Sequence, residues 1–250
     1  MFRRSKIQSF PIPENILLPF AEGESASDTK VDAFFKIQNS QFLDKRTKKS
    51  ITTKIKNVEA AIKDVEAYSG ITYPPYYVEP VLIVTEASDN VGGMGVMYAR
   101  TIPVEANGAV QIVVELSAPL VLFSTKKTLR LVLGHEMLHY VELVRNFTRM
   151  DVVSQITSSS MYEERHTDYS RAVDPSKVFS SKTLVRDLKK RTSAGLDDEK
   201  LNQKCKEKWI EKGMPVKKIA LGQNQVNVSI EAVVRSNFDS KLKDLISRLA

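Results

Sequence analysis

Hydrophobic positions recur along the chain with two periods, one helical and one extended. Between about residues 50 and 68 they fall three and four apart, which predicts an amphipathic helix. The positions concerned are Ile51, Ile55, Val58, Ile62 and Val65. The next apolar segment, VEPVLIVTE, is short, β-branched and bounded by prolines and polar residues, so it predicts one buried strand.

A hairpin and two further helices are predicted downstream. Two apolar runs flank Asn107-Gly108, a dipeptide that favours a tight β-hairpin turn. Pro103 lies in the first run and cannot donate a ladder hydrogen bond, which indicates an edge strand or a bulge. Helical periodicity then predicts a long helix over about 124–147 and a second over about 160–173.

The two ends of the chain differ from this central part. The first thirty residues contain SFPIPENILLP and the polar AEGESASDTK, which predicts an irregular arm over 1–50. A core follows over 51–175. The region 176–250 is lysine-rich and predicted to be mainly helical, with a break at 213–215 and a last helix over about 237–249.

Composition narrows the class of protein. Hydrophobic residues at 42% and charged residues at 27% are ordinary for a globular chain. No apolar run approaches the roughly 18 residues that cross a bilayer, and polar residues interrupt any N-terminal signal sequence. Cys205 is the single cysteine, which fits a reducing compartment and predicts a cytoplasmic location. The net charge of +7 favours polyanionic or acidic partners.

The segment LGHEMLHYVE carries the candidate chemistry. Residues four apart lie on one face of a helix, so His135 and His139 are predicted to point the same way. Two imidazoles at this spacing can bind one zinc ion, and Glu136 can reach a water on the metal. Zinc lowers the pKa of such a water to about 7, and the glutamate can take its proton and return it to a leaving amine.

The alternative interpretation is a charged, exposed helix face that carries two histidines by chance. In a chain with three histidines, chance placement of this motif is on the order of a few in a thousand. The flanks in RLVLGHEMLHYVEL are apolar, which predicts a buried helix whose His, Glu and His each need a partner. The metal interpretation is therefore favoured.

A catalytic zinc also needs a third protein ligand. The pattern HExxHxxGxxH fails, because Glu142 and Arg145 occupy its later positions. The remaining candidates are Glu163, Glu164 and His166.

The predicted second helix orders these candidates. Ser160 and Glu163 form a capping box, which gives Glu163 a structural task. Glu164 is left as the favoured ligand. Asp168, four residues on, shares its face and suits a hydrogen bond to a ligand histidine. His166 points to another side of the helix.

These motifs together resemble the gluzincin metallopeptidases, the thermolysin-like branch of the zincins. The likeness covers about 78–175 and includes the order of strands, hairpin and active-site helix. It implies a zincin-like α+β core, in which a small mixed or antiparallel sheet packs on the active-site helix. It also implies an endopeptidase with zinc on His135, His139 and Glu164, and with Glu136 as general base.

The resemblance assigns two further roles. In that family an edge strand before the active-site helix aligns the extended peptide substrate, a role that falls here on Val110, Ile112 and Val114. Larger members use a distant histidine or tyrosine to steady the oxyanion. No histidine follows His166 in this chain, so Tyr169, Tyr140 or an arginine would have to serve.

The basic region allows a second kind of partner. Its lysines and the single tryptophan, Trp209, are compatible with nucleic-acid binding. Acidic residues interleaved in DDEKLNQKCKEKWIEK favour a solvated helix face instead, with weak polyanion binding at most. Cys205 has no partner motif and is predicted to be structural, at or just below the surface.

Three functions therefore stay open. The first is a zinc peptidase. The second is a non-catalytic binding or assembly component on a zincin fold, in a larger particle or a nucleic-acid complex. The third is a peptidase recruited to nucleic acid by its basic region.

Overall fold

Helices and two small sheets make this a mixed α+β protein. The computed structural model describes residues 33–86, 94–149, 173–192, 196, 198–220 and 230–249. The helices of this part are α1 (Phe35–Asn39), α2 (Lys45–Thr52), α3 (Ile55–Ser69), α4 (Ala118–Phe123), α5 (Lys126–Thr148), α6 (Pro175–Val178), α7 (Lys182–Arg191), α8 (Glu199–Cys205), α9 (Ile230–Arg235) and α10 (Ser240–Arg248). A π-helical turn, Lys206–Ile210, continues α8. The strands are β1 (Tyr76–Glu79), β2 (Leu82–Glu86), β3 (Met94–Met97), β4 (Ala99–Ala106), β5 (Ala109–Ser117) and β6 (Val216–Ala220).

The described strands form two three-stranded sheets. In the first, with order β1-β5-β4, β5 pairs in parallel with β1 and antiparallel with β4. In the second, with order β3-β2-β6, β2 pairs antiparallel with β3 and in parallel with β6. The prediction of one strand over VEPVLIVTE is therefore wrong. The chain breaks at Pro80-Val81, and the two halves enter different sheets.

The predicted hairpin is confirmed. Asn107 and Gly108 join β4 to β5 with φ angles of 53° and 70°, the left-handed pair that a two-residue type I′ turn requires. Pro103 lies in β4 opposite Ile112. Among the described strands β4 has a neighbour on one side only, which agrees with the edge position that Pro103 indicates.

The strand to which the resemblance assigns substrate alignment has a strand on both sides over only part of its length. β5 pairs with β4 along its length and with β1 at Val114–Ser117, whereas Val110 and Ile112 lie beyond the end of β1. The amide of Val114 donates to the carbonyl of Pro75 at 2.8 Å, and the amide of Val110 donates to Ser236 Oγ at 2.8 Å. Because these two amides already have partners on the side away from β4, the prediction of an open edge is wrong at Val110 and Val114, and for Ile112 it stays a prediction.

The long predicted helix is confirmed as α5. Thr125 caps its start by accepting a hydrogen bond from the amide of Thr128 at 3.1 Å. The helix contacts α3, α7, α10 and β4, so it lies in the centre of the described core. A Cβ added at Gly134 would lie 3.4 Å from Leu184 of α7, an ordinary van der Waals contact, so this position of α5 faces α7.

In the described parts of the two terminal regions, some elements differ from the predicted ones. The arm predicted over 1–50 is helical at α1 and across most of α2. Val78 of β1 donates to the carbonyl of Ala33 at 2.8 Å, so this segment is attached to the first sheet. In the C-terminal region, which is predicted to be mainly helical, residues 216–220 form the strand β6.

The C-terminal elements share the core with the central ones. Leu184, Leu188 and Trp209 belong to the same buried cluster as residues of α3 and α5. The predicted break at 213–215 is confirmed, with Gly213 at a φ of 68°, and the last predicted helix corresponds to α10. In the described part of the chain, no helix is long and apolar enough to cross a membrane.

Candidate metal and catalytic site

His135 and His139 meet on one face of α5. Their Nε2 atoms lie 2.9 Å apart, and the two half-buried rings stand edge to face with centroids 4.5 Å apart. The i, i+4 spacing predicts this convergence, because such residues lie one turn apart on the same face. We call these two residues the histidine pair.

The histidine pair fits two positions of a tetrahedral metal site. With zinc–nitrogen bonds of about 2.0–2.1 Å, two ligand nitrogens lie about 3.3 Å apart. The observed 2.9 Å is about 0.4 Å shorter, a difference that small ring rotations can supply. Neutral imidazole is also a preferred zinc ligand. The donor type and the separation therefore both suit the ion.

The third ligand is not part of this geometry. No group of three or more His, Cys, Asp or Glu side chains that could hold a metal occurs among the described residues. The candidates Glu163, Glu164 and His166, together with Asp168, lie outside the described residues. Their roles stay predictions.

Glu136 lies one position after the first histidine and is only 4% exposed. Its carboxylate accepts a hydrogen bond from Thr101 of β4, with Thr101 Oγ1 2.7 Å from Glu136 Oε2. Burial raises the pKa of Glu136 to about 7, and the Thr101 hydrogen bond acts in the opposite direction. The side chain therefore sits in a water-poor setting that also holds a proton donor.

Tyr73 contacts α5 close to Glu136 in the sequence. It is buried, and its hydroxyl donates to the backbone carbonyl of Leu133, one turn before Glu136, at 3.2 Å. Burial raises the pKa of Tyr73 well above its usual value, and the negative charge of Glu136 raises it further. Tyr73 is thus a neutral phenol close to the carboxylate.

Sequence reasoning missed both Thr101 and Tyr73. One signal could have indicated Thr101. Ala99, Thr101 and Pro103 occupy the buried phase of β4, and threonine is the single residue of these three with a side-chain donor. A polar residue at a buried strand position needs a partner across the core.

The oxyanion candidates are only partly described. Tyr140 is half-buried, and burial followed by the charge of Asp239 raises its pKa to about 12. Asp239 is the N-cap of α10, a helix that contacts α5. Tyr169 is outside the described residues.

The reactive residue types of the C-terminal region have structural environments. Trp209 is fully buried and donates from Nε1 to the carbonyl of Pro215 at 2.7 Å. Cys205 is 1% exposed, deeper than the surface position predicted for it. Burial raises the pKa of the Cys205 thiol to about 11, so it is protonated at neutral pH and a poor nucleophile.

Four basic residues of this region lie on the exposed face of α7. Lys182, Arg186, Lys189 and Lys190 border an open hollow of about 750 Å³ beside α6. Lys189 pairs with Asp174 at 2.9 Å, and Arg186 is 69% exposed. We call these four cations the α7 basic face.

Comparison with known proteins gives no further identification. No protein-family model, curated protein or solved structure matches the chain.

Proposed function

We propose that this chain is a zinc-dependent peptidase. The observation that carries the proposal is the convergence of the two Nε2 atoms of the histidine pair at 2.9 Å on a helix that also buries Glu136. Burying a carboxylate costs free energy unless the group is hydrogen-bonded, paired or near a metal, so such a residue is uncommon without a specific role. In this proposal His135, His139 and Glu164 hold the ion, and Glu136 handles protons.

The division of work follows from the side chains. Zinc, when bound, supplies Lewis-acid chemistry to water and to a peptide carbonyl. Glu136 accepts the proton of the attacking water and returns it to the amine that leaves. Burial suits this exchange, because a carboxyl group transfers a proton best when its pKa lies near the working pH.

A peptide substrate would align along β4. This strand contacts α5 through Thr101 and Glu136, and its second side has no partner among the described strands. An extended peptide can add to such an edge through backbone hydrogen bonds. We therefore assign the substrate-aligning role to β4 in place of β5. The zincin-like arrangement that we propose consists of the edge strand β4 beside the helix α5.

The test is metal content together with hydrolysis of a mixture of fluorogenic peptides. We expect about one zinc per chain and zinc-dependent cleavage. Glu136→Gln should keep the zinc and lower the rate of peptide cleavage by about 10²–10⁴-fold, because the variant loses the base and retains the metal ligands. His139→Ala should lose both zinc and cleavage. Glu211→Gln, at an exposed position, is the matched control.

Other outcomes separate the alternatives. A chain that binds no zinc contradicts the proposal. Zinc lost on Glu136→Gln would mean that Glu136 is a ligand. Stoichiometric zinc without cleavage of any peptide would favour a non-catalytic binding component.

A further inference from the structure

Thr101 connects the proposed base to the edge strand. Its side chain lies in the buried phase of β4 and is 6% exposed. Oγ1 lies 2.7 Å from Glu136 Oε2 and 3.2 Å from the backbone oxygen of the same residue. One hydroxyl therefore touches both the carboxylate and the helix backbone at Glu136.

The hydrogen bond has a defined direction. In the ionised form of Glu136, which is the form that accepts a proton, neither oxygen carries a proton. The Thr101 hydroxyl therefore donates to Oε2, which is the shorter of its two contacts. A hydrogen bond from a hydroxyl to an ionised carboxylate is shorter and stronger than a hydrogen bond between two neutral groups. Both groups are buried, so losing one partner would leave the other without its hydrogen bond.

This bond limits how the carboxylate can turn. A glutamate side chain rotates about three bonds, and burial alone does not select the orientation of its two oxygens. With one lone pair of Oε2 occupied by the Thr101 hydroxyl, Oε1 is the oxygen that we expect to take the transferred proton. Because Thr101 belongs to β4, the base is also fixed relative to the strand along which a peptide would bind.

We propose that Thr101 is a positioning residue that orients Glu136 for proton transfer and sets its place relative to a peptide on β4. The inference rests on the proposed peptidase function. It concerns the turnover step and not metal binding, since Thr101 contacts Glu136 and neither histidine of the pair is involved in that contact.

Paired substitutions test the role. Thr101→Val removes the hydroxyl at nearly constant shape, and it should lower kcat by roughly 10- to 100-fold, the scale of a small misplacement of a reacting group. KM and zinc content should stay within about twofold of wild type. Thr101→Ser keeps the hydroxyl and should restore most of kcat.

Thr128→Val is the matched control. Thr128 is also buried, and its hydroxyl donates to Asp198 Oδ2 at 2.6 Å at the start of α5. The change removes the same kind of bond away from the site. It should lower stability and leave kcat unchanged, which separates a positioning effect from a general loss of packing.

A second readout does not depend on activity. In the zinc-free protein, a double-mutant cycle with Thr101→Val and Glu136→Met measures coupling between the two side chains by urea unfolding. If the bond forms, the shift of the double variant should be smaller than the two single shifts added together. Additive shifts would overturn the contact.

The failures of the two proposals can be told apart. If Glu136→Gln is inactive and Thr101→Val is as active as wild type, the role of Thr101 is overturned and the peptidase function stands. If Thr101→Val loses zinc, its effect runs through the metal and the inference is also overturned. A wild-type chain that cleaves nothing overturns the function, and the role of Thr101 with it.

Discussion

Two regions of this protein contain residue types that often take part in binding or catalysis. The two regions differ in which of their side chains are buried. In the centre of the described core, Glu136 of α5 and its partner Thr101 of β4 are polar and buried. In the C-terminal helical segment (198–210), the buried residues are Trp209, Cys205 and Leu201, and the lysines face outward. The first region places polar groups where they cost free energy, whereas the second follows the ordinary pattern of a surface helix.

This difference decides which region is a candidate site. A buried tryptophan and a buried neutral thiol are what a hydrophobic core needs, and their presence calls for no further function. A buried carboxylate beside two converging imidazoles is not needed for packing. Residue type alone is therefore a weaker guide to function than the combination of residue type and burial.

The largest expected effect tests whether the histidine pair is completed by Glu164. Glu164→Ala should reduce zinc affinity by more than the roughly 10- to 100-fold that outer-shell changes cause. Asp168→Ala should fall within that 10- to 100-fold range, since it is expected to touch a ligand and not the ion. Equilibrium dialysis with zinc against a competing chelator measures both.

Neighbouring variants are the controls for this assignment. Glu163→Ala should cost about 0.5–2 kcal/mol of stability through the lost helix cap and keep the zinc. His166→Ala should also keep it. Zinc lost with His166→Ala and kept with Glu164→Ala would make this a three-histidine site and remove the resemblance to gluzincins.

How far the sequence predicts the fold depends on the distance over which a signal acts. The turn at Asn107-Gly108 and the helix α5 were predictable, because a dipeptide and a run of apolar periods define them locally. β6 was not, because Val216–Ala220 is lysine-containing and becomes a strand by pairing with β2, more than a hundred residues earlier.

The candidate site likewise has one feature that local sequence predicts and one that it does not. The histidine pair follows from an i, i+4 spacing within one helix. The Thr101–Glu136 contact joins residues 35 apart in the chain, and it depends on the register of a sheet against a helix. No local pattern contains that register, so the structure was needed to find it.

The next prediction concerns the C-terminal helical segment. If the C-terminal helical segment is core and not a site, Trp209→Ala should lower the free energy of unfolding by about 3–5 kcal/mol through cavity formation. The buried indole ring and its hydrogen bond to the carbonyl of Pro215 would both be lost. Urea unfolding at constant temperature measures the change.

Labelling of Cys205 is an independent check on the same prediction. Folded wild-type protein should leave Cys205 unreactive toward a thiol reagent at pH 8, because the thiol is buried and its pKa is raised to about 11. Trp209→Ala should increase the rate of labelling. Rapid labelling of the wild type, or a loss of less than about 1 kcal/mol in the variant, would contradict a core role.

The smallest expected effect concerns the α7 basic face. We expect weak binding to single-stranded DNA that follows the net charge of the chain, because these cations are exposed and Lys189 already has an acidic partner. Three phosphate contacts would lose roughly 20-fold in affinity for a fourfold rise in salt. Fluorescence anisotropy across a salt series measures this slope.

Two triple variants with the same change of charge decide between a face and a site. One reverses Lys182, Arg186 and Lys190 to Glu, and the other reverses the exposed Lys45, Lys49 and Lys56. If binding follows net charge, both variants should lose it equally. A loss confined to the first variant, or an affinity that survives high salt, would show that the α7 basic face is a specific polyanion site.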